Sequence, residues 1–112
     1  PLIAACQMRF SPDPEARHLL VSNAGINTVS VYDRDEESGL LTMKGSLPIG
    51  GEYPKDFCIF PNEKHIAVAN NESGTITFFS VDYERGLLIM SARELEIDEP
   101  NCICMVRLPQ EG

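Results

Sequence analysis

The sequence is short of basic residues and of long apolar runs, and each shortage excludes a class of function. It contains 9 Lys and Arg residues against 17 Asp and Glu, which gives a formal net charge of −8. Nucleic acid is therefore excluded as the main partner, because phosphate contacts need a basic surface. No apolar run reaches the roughly 18 residues of a membrane-spanning helix, so we expect no membrane partner either.

The N-terminus lacks an initiator methionine and a leader in which basic residues precede an apolar stretch. Without an export signal, we expect a cytoplasmic protein. A chain that starts at Pro1 is also expected to be a piece of something longer. Its 112 residues leave room for one small domain with a modest core.

Metal-ligand spacings are lacking as well. The chain has four cysteines, Cys6, Cys58, Cys102 and Cys104. Only Cys102 and Cys104 are close, and a C-x-C pair is at most half of a zinc site. Neither His18 nor His65 stands at a ligand spacing from a cysteine. We interpret the cysteines as reduced, buried thiols, with a disulfide or a metal site as the alternatives. The sequence predicts no metal and no other cofactor.

The chain does contain an internal repeat. When residues 16–43 are laid over residues 63–90, ten of the 28 positions are identical. The identical pairs are His18/His65, Val21/Val68, Asn23/Asn70, Thr28/Thr75, Asp35/Asp82, Glu37/Glu84, Gly39/Gly86, Leu40/Leu87, Leu41/Leu88 and Met43/Met90. Chance does not produce this agreement, so the chain holds two copies of a unit of about 47 residues.

Each copy is typical of short strands separated by turns. In the second copy, residues 56–60, 65–69 and 75–81 are apolar or β-branched runs, and a fourth, weaker strand is expected over 87–95. The first copy predicts strands over 7–10, 18–22, 28–33 and 40–47 in the same order. No segment longer than about ten residues has a helical period. We expect core positions at Val29, Val31, Ile76, Phe78, Leu87 and Leu88.

This pattern predicts an all-β fold made of two four-stranded antiparallel β-propeller blades. We expect a first blade over 1–53, a second over 54–99, and a strand of the following or closing blade over 100–112. A propeller needs about four to eight blades to close. The chain is therefore expected to be a fragment of a larger, seven-bladed propeller. Self-association through exposed blade faces is the alternative.

Several segments resemble the lactonase-type seven-bladed β-propellers, a family that includes bacterial 6-phosphogluconolactonase. Residues 54–61 are similar to the family's "PRDFxxxP" strand, and residues 68–82 resemble its "VANQDSDTITVFxID" segment. Residues 11–13 and 18–23 are similar to "SPDGRxLYVSN", and residues 99–104 resemble the strand after the last full blade. The family order of these segments places the chain at the C-terminal end of the propeller.

The resemblance implies hydrolysis of a small-molecule sugar lactone, 6-phosphogluconolactone, in the pentose phosphate route. The complete protein is expected to be an enzyme, while this segment alone is expected to be inactive. A non-catalytic propeller that binds a protein or carbohydrate partner is the alternative. One departure favours it: many family members have Arg and His in the turn where this chain has Ala24 and Ile26.

Candidate substrate-binding residues come from the loops that share one rim of the ring. These are the turn over 23–27, the loop over 53–56 that leads into a strand, and the turn over 70–74. On this rim Lys55, Asn23, Asn70 and Glu72 are the candidates. A structural role is the competing interpretation for each: a solvated or Asp56-paired lysine, turn-forming asparagines and a wet carboxylate.

The remaining polar residues are interpreted as structural, and no catalytic residue is assigned. Asp56 is expected to bond nearby backbone rather than to act in catalysis. His18 and His65 lie on the opposite rim, where a turn or packing role is expected. The acidic run over 33–37 lacks the spacing of a calcium loop, so we interpret it as a solvated turn.

Overall fold

The computed structural model of the protein describes residues 4–103 and contains eight strands in this range. They are β1 (Ala4–Phe10), β2 (His18–Ala24), β3 (Thr28–Arg34), β4 (Leu41–Pro48), β5 (Pro54–Ile59), β6 (His65–Asn70), β7 (Thr75–Asp82) and β8 (Leu87–Glu96). They form two four-stranded antiparallel sheets, ordered β1-β2-β3-β4 and β5-β6-β7-β8. The prediction of two successive four-stranded blades is confirmed.

The repeat is visible in the strand register. In the first blade Asn23 pairs with Thr28, and in the second Asn70 pairs with Thr75, 47 residues further along. The first sheet lies within the predicted unit 1–53 and the second within 54–99. The assignment of 100–112 to a following blade stays a prediction, and its residues 104–112, including Cys104, lie outside the described range.

The core lies between the two sheets. Leu20, Val29, Val31 and Ile49 of the first repeat pack with the second blade's Phe57, Ile66, Val68 and Phe79, and all eight are buried. Successive side chains of a strand point to opposite faces, so each blade presents one face to the other and one face outward. The core is therefore an interface between blades rather than the interior of either sheet.

The expected core positions are correct in the first blade and partly wrong in the second. Val29 and Val31 are buried, and Leu88 packs against the core. Ile76 and Phe78 are only half-buried, because the alternation of β7 turns Thr77 and Phe79 toward the first blade instead. Leu87 is 40% exposed, since it begins β8 at the free edge of the sheet.

The expectation of buried thiols is also only partly correct. Cys58 is buried, as its apolar neighbours indicate, but Cys6 is half-buried and Cys102 is exposed. Cys102 follows the last described strand rather than lying inside a sheet. Cys6 and Cys58 lie in the equivalent first strands β1 and β5 of their sheets, so position in an apolar run of such a strand does not by itself decide burial.

Candidate functional site

Three loops converge at one end of the two sheets, as the strand order predicts. The backbone N–H of Asn71 donates to the Tyr53 carbonyl at 2.9 Å, and that of Glu72 donates to the Glu52 carbonyl at 3.2 Å. The Tyr53 N–H donates to the side-chain Oδ1 of Asn27 at 3.0 Å. These bonds join the β2–β3 turn, the loop before β5 and the β6–β7 turn into one rim.

A cavity of about 330 Å³ opens at this rim between the two blades. Its lining includes Cys6, Ala24, Gly25, Asn27, Tyr53 and Glu72. Cys6 comes from β1 and Ala24 from the end of β2, and the other residues named come from the three converging loops. A concave space with a few polar groups on rigid loops is where small ligands bind in folded proteins. We therefore take this cavity as the candidate site.

Two residues that line the cavity have an unusual backbone conformation. Asn27 and Tyr53 have φ angles of 56° and 59°, in the left-handed region that β-carbons disfavour. Asparagine adopts this region readily, but tyrosine does so at a cost of about 1–2 kcal/mol. The hydrogen bond between the two residues holds both conformations. Such backbone strain is common at binding and catalytic sites, where it preorganises a side chain.

The polar groups of the cavity are neutral or negative. Glu72 is exposed, and its neighbour across the backbone hydrogen bond, Glu52, is also an exposed carboxylate. Asn27 contributes an amide and Tyr53 a phenol. An exposed carboxylate is a good acceptor for ligand hydroxyl groups.

Lys55, the candidate cation, lies on the same rim but does not line the cavity. Its Nζ donates to Asn101 Oδ1 at 2.9 Å, and the same oxygen accepts from Asn71 Nδ2 at 3.1 Å. The partner is Asn101 rather than Asp56, and Lys55 is exposed, which agrees with the solvated form of the structural interpretation. The lysine joins β5 to the segment after β8.

Asn70 and Asn23 hold the strands beside the rim. Asn70 is 0% exposed, and its Nδ2 donates to Thr75 Oγ1 at 3.3 Å and to Thr77 Oγ1 at 3.1 Å. Asn23 Nδ2 donates to the equivalent Thr28 and Ser30 hydroxyls at 3.2 and 3.0 Å. In the described residues both asparagines therefore act as turn and strand anchors, which is their structural interpretation.

Sequence reasoning missed the partner of Asp56. The Arg9 guanidinium donates to Asp56 Oδ1 at 3.0 Å and to the Phe57 carbonyl at 2.6 Å, while the Ile103 N–H donates to Asp56 Oδ2 at 3.0 Å. Burial alone would raise the pKa of Asp56, but hydrogen bonds from the Ile103 and Phe57 backbone and the charge of Arg9 outweigh it and lower the pKa. Arg9, Asp56 and Ile103 follow one another at intervals of 47 residues, so they occupy equivalent positions of successive repeats. This spacing is the signal that could have identified them as neighbours.

The opposite rim contains the histidines, as expected. His18 Nδ1 lies 3.0 Å from Asp33 Oδ1, and the His18 ring stacks on Tyr83 of the other blade with centroids 4.2 Å apart. Burial, with Glu63 and Asp13 nearby, raises the pKa of Tyr83 to about 12. The Tyr83 hydroxyl donates to the Glu63 carbonyl at 2.6 Å. This rim is a packing contact between the blades.

The acidic run over 33–37 forms a turn. Asp35 Oδ1 accepts hydrogen bonds from the Glu37 and Ser38 backbone at 2.9 and 3.0 Å. Backbone hydrogen bonds from Ser38 and Glu37 lower the pKa of Asp35. Within residues 4–103, no cluster of three or more His, Cys, Asp or Glu side chains is arranged to hold a metal ion. The turn interpretation therefore accounts for the carboxylate of Asp35.

The family comparison decides what this pair of blades is part of. The model of the family described as "Lactonase, 7-bladed beta-propeller" matches residues 4–105. The chain belongs to the seven-bladed β-propeller lactonase family. The family was thus correctly predicted from the strand segments of the sequence.

Solved structures give the same fold. The chain is similar to the periplasmic gluconolactonase PpgL of Pseudomonas aeruginosa, with a TM-score of 0.86, 24% identity, and coverage of 96% of this chain and 29% of that one. It is similar to a putative 6-phosphogluconolactonase of Bacteroides fragilis, with a TM-score of 0.79, 30% identity, and 88% and 27% coverage. A putative 6-phosphogluconolactonase of Bacteroides uniformis is also similar, with a TM-score of 0.79, 26% identity, and coverage of 88% of this chain and 28% of that one.

The chain thus spans under a third of the length of these structures. No curated protein sequence matches it significantly. None of the residues described, 4–103, belongs to a helix long and apolar enough to cross a membrane. What the comparisons establish is a lactonase-family fold carrying two blades.

Proposed function

We propose that these two blades act within a complete propeller ring that hydrolyses the internal ester of a sugar lactone. The observation that carries the proposal is the cavity between the blades, at the rim where three loops meet, in a chain of the lactonase family. A ring-shaped substrate with several hydroxyl groups suits this cavity. Its volume of about 330 Å³ is within the range of small-molecule sites.

The described residues fit the binding part of such a reaction. Lactone hydrolysis needs an activated water and a donor for the oxyanion that develops at the carbonyl. Asn27, Tyr53 and Glu72 supply an amide, a phenol and a carboxylate, which bind and orient hydroxyl groups. The groups that activate water and stabilise the oxyanion would come from other blades of the ring. We assign no catalytic residue within residues 4–103.

Two substrates are the specific candidates, 6-phosphogluconolactone and gluconolactone. The sequence resemblance implies the first and, with it, the pentose phosphate route. The names of the Bacteroides proteins also contain the first, and that of the Pseudomonas protein refers to the second. A cytoplasmic location stays a prediction, and the Pseudomonas relative is named as periplasmic.

The ring would be completed by the missing blades of the same propeller. The inner strand β5 is already joined to the segment that follows β8, because Ile103 and Asn101 bond Asp56 and Lys55. This is the position that the first strand of a next blade would occupy. Self-association of two-bladed chains is the alternative route to a closed ring.

The proposal is tested by a hydrolysis assay on the complete propeller. Purified protein is mixed with glucono-δ-lactone and, separately, with 6-phosphoglucono-δ-lactone, and acid release is followed against the spontaneous rate. Hydrolysis of either lactone well above that rate is the expected result. Hydrolysis of neither lactone would reject the enzymatic function.

The second candidate is a non-catalytic propeller that binds a protein or carbohydrate. One observation favours it: the end of β2 and the following turn carry Ala24 and a 47% exposed Ile26, where the family resemblance implies Arg and His. Neither side chain binds an anion or transfers a proton. Saturable binding of a carbohydrate, measured by calorimetry in a protein without lactonase activity, would support this candidate.

A further inference from the structure

We propose that the cavity between the blades selects an uncharged lactone over its phosphorylated form. This inference rests on the proposed function and names the substrate class of the same site. The described part of the cavity has the charge and the hydrogen-bonding groups for a neutral polyhydroxy ring, and it opposes a phosphate group.

The charges around the cavity are negative. Glu72 lines it, and Glu52 lies beside Glu72 through the hydrogen bond between their backbones. A phosphate monoester carries nearly two negative charges at neutral pH. The Glu72 carboxylate in the lining would repel this group, and it would leave a neutral ring unaffected.

The cationic side chains near the cavity bond to groups outside it. Lys55 Nζ donates to Asn101 Oδ1 at 2.9 Å, on the side of the segment that follows β8. The Arg9 guanidinium pairs with Asp56 at 3.0 Å and with the Phe57 carbonyl at 2.6 Å. Among the described residues that line the cavity, none is a lysine or an arginine. Phosphate recognition in proteins depends on such cations.

The side chain at position 24 also favours an uncharged ligand. Ala24, the last residue of β2, lines the cavity directly. A small apolar side chain there leaves room for a ring and offers no charge to an anion. The neutral polar groups of Asn27 and Tyr53 remain, and these recognise hydroxyl groups without requiring a charge.

The test measures kcat/KM of the complete propeller for glucono-δ-lactone and for 6-phosphoglucono-δ-lactone. The wild type is expected to prefer the unphosphorylated lactone by about tenfold or more at low ionic strength, since charge repulsion across an exposed rim is of this order. The Glu72→Gln variant is expected to raise kcat/KM for the phosphorylated lactone about threefold, with a smaller gain in high salt. The Ala24→Arg variant is expected to raise it further.

The Glu84→Gln variant is the matched control. It makes the same change of charge at an exposed position in the turn before β8, on the opposite rim. It is expected to leave the ratio of the two kcat/KM values unchanged. An equal shift in this control would assign the effect to net charge and would overturn the role of Glu72.

The two possible failures are distinguishable. A wild-type preference for the phosphorylated lactone would overturn the inference and leave the proposed function intact. If neither lactone is hydrolysed, the proposed function fails and the inference falls with it.

Discussion

At the scale of single residues, side-chain bonds that cross between strands and blades hold the loops around the cavity. Asn70 bonds two hydroxyls of the next strand, and Asn27 bonds the backbone of Tyr53. The sequence made both repeat asparagines candidates for substrate binding, with a turn-forming role as the competing interpretation, since asparagine tolerates such positions. It could not predict the left-handed Tyr53, because tyrosine carries no intrinsic preference for that conformation.

The Asp56 carboxylate bonds groups on both sides of the contact between the blades, so its ionisation affects how strongly the blades are held together. Its side chain is only 5% exposed and accepts bonds from Arg9 of one sheet and from Ile103 beyond the other. Its pKa is lowered from an ordinary value of 3.8. A carboxyl with a depressed folded-state pKa stabilises the fold above its unfolded pKa and loses this contribution as the pH falls through the folded value.

We therefore predict a pH-dependent cost for Asp56→Asn. The free energy of unfolding, measured by urea titration, should be lower in the variant by a constant amount between about pH 5 and pH 7. The difference should shrink below about pH 4, as the wild-type carboxyl becomes protonated. A difference that stays constant down to pH 2 would contradict the assignment of the depressed pKa to this residue.

At the scale of strands and turns, the alternation of β7 decides which side chains form the core. Its apolar and threonine residues fill both faces, so the sequence alone did not show which face meets the other blade. Thr77 is turned inward because its hydroxyl donates to the Ile49 carbonyl at 2.8 Å. The strands themselves were predictable because their turns carry strong signals. The inward face was not, because it depends on the neighbouring sheet.

The outer edges of the blades meet at two glycines. A β-carbon on Gly45 in β4 would overlap the Gly86 carbonyl oxygen in the β7–β8 turn, and one on Gly86 would overlap the Lys44 carbonyl. Backbone atoms on both sides leave no flexible group that could move aside. Contact between β4 and this turn therefore requires glycine at both positions.

We predict that Gly45→Ala destabilises the protein by about 2 kcal/mol or more, because the blades must separate at this edge. Gly39→Ala is the control, since Gly39 has open space around it and only the strain of its φ of +74°. It should cost about 1 kcal/mol. Chemical denaturation of both variants measures the costs, and an equal or smaller cost for Gly45→Ala would show that the edges are not in contact.

At the scale of the whole molecule, each blade has one covered face and one open face. Phe10, Leu19, Tyr32 and Met43 form a row across the open face of the first sheet, as their pairing shows. Phe10 and Met43 in this row are exposed, together with Met8 on the same face. An exposed apolar sheet face is typical of a surface that another element covers. The preceding blade of the proposed ring would lie here.

The two repeat asparagines test this arrangement. In the described residues Asn70 is fully buried by the first blade, whereas the equivalent Asn23 is half-buried on the open face. In a complete ring both should be buried, so Asn23→Ala and Asn70→Ala should each cost about 1–3 kcal/mol in urea unfolding. A cost for Asn23→Ala below half of that for Asn70→Ala would show that no blade covers this face.

Family and blade count were predictable from the sequence, because the repeat and the strand segments are local signals. The candidate site was predictable only in part. The three loops and Glu72 were identified, whereas Cys6, Asn27 and Tyr53 were not singled out. Lys55 was chosen for its charge, but its partner Asn101 is 46 residues away and not marked by any motif.

The most direct test of the account is a crystal structure of the complete propeller with gluconate, the product of gluconolactone hydrolysis, bound. The account predicts the ligand in the cavity between these blades, with hydroxyl groups within hydrogen-bond distance of Asn27, Tyr53 or Glu72. Gluconate bound on the opposite rim, or in a part of the ring that does not include these loops, would contradict it.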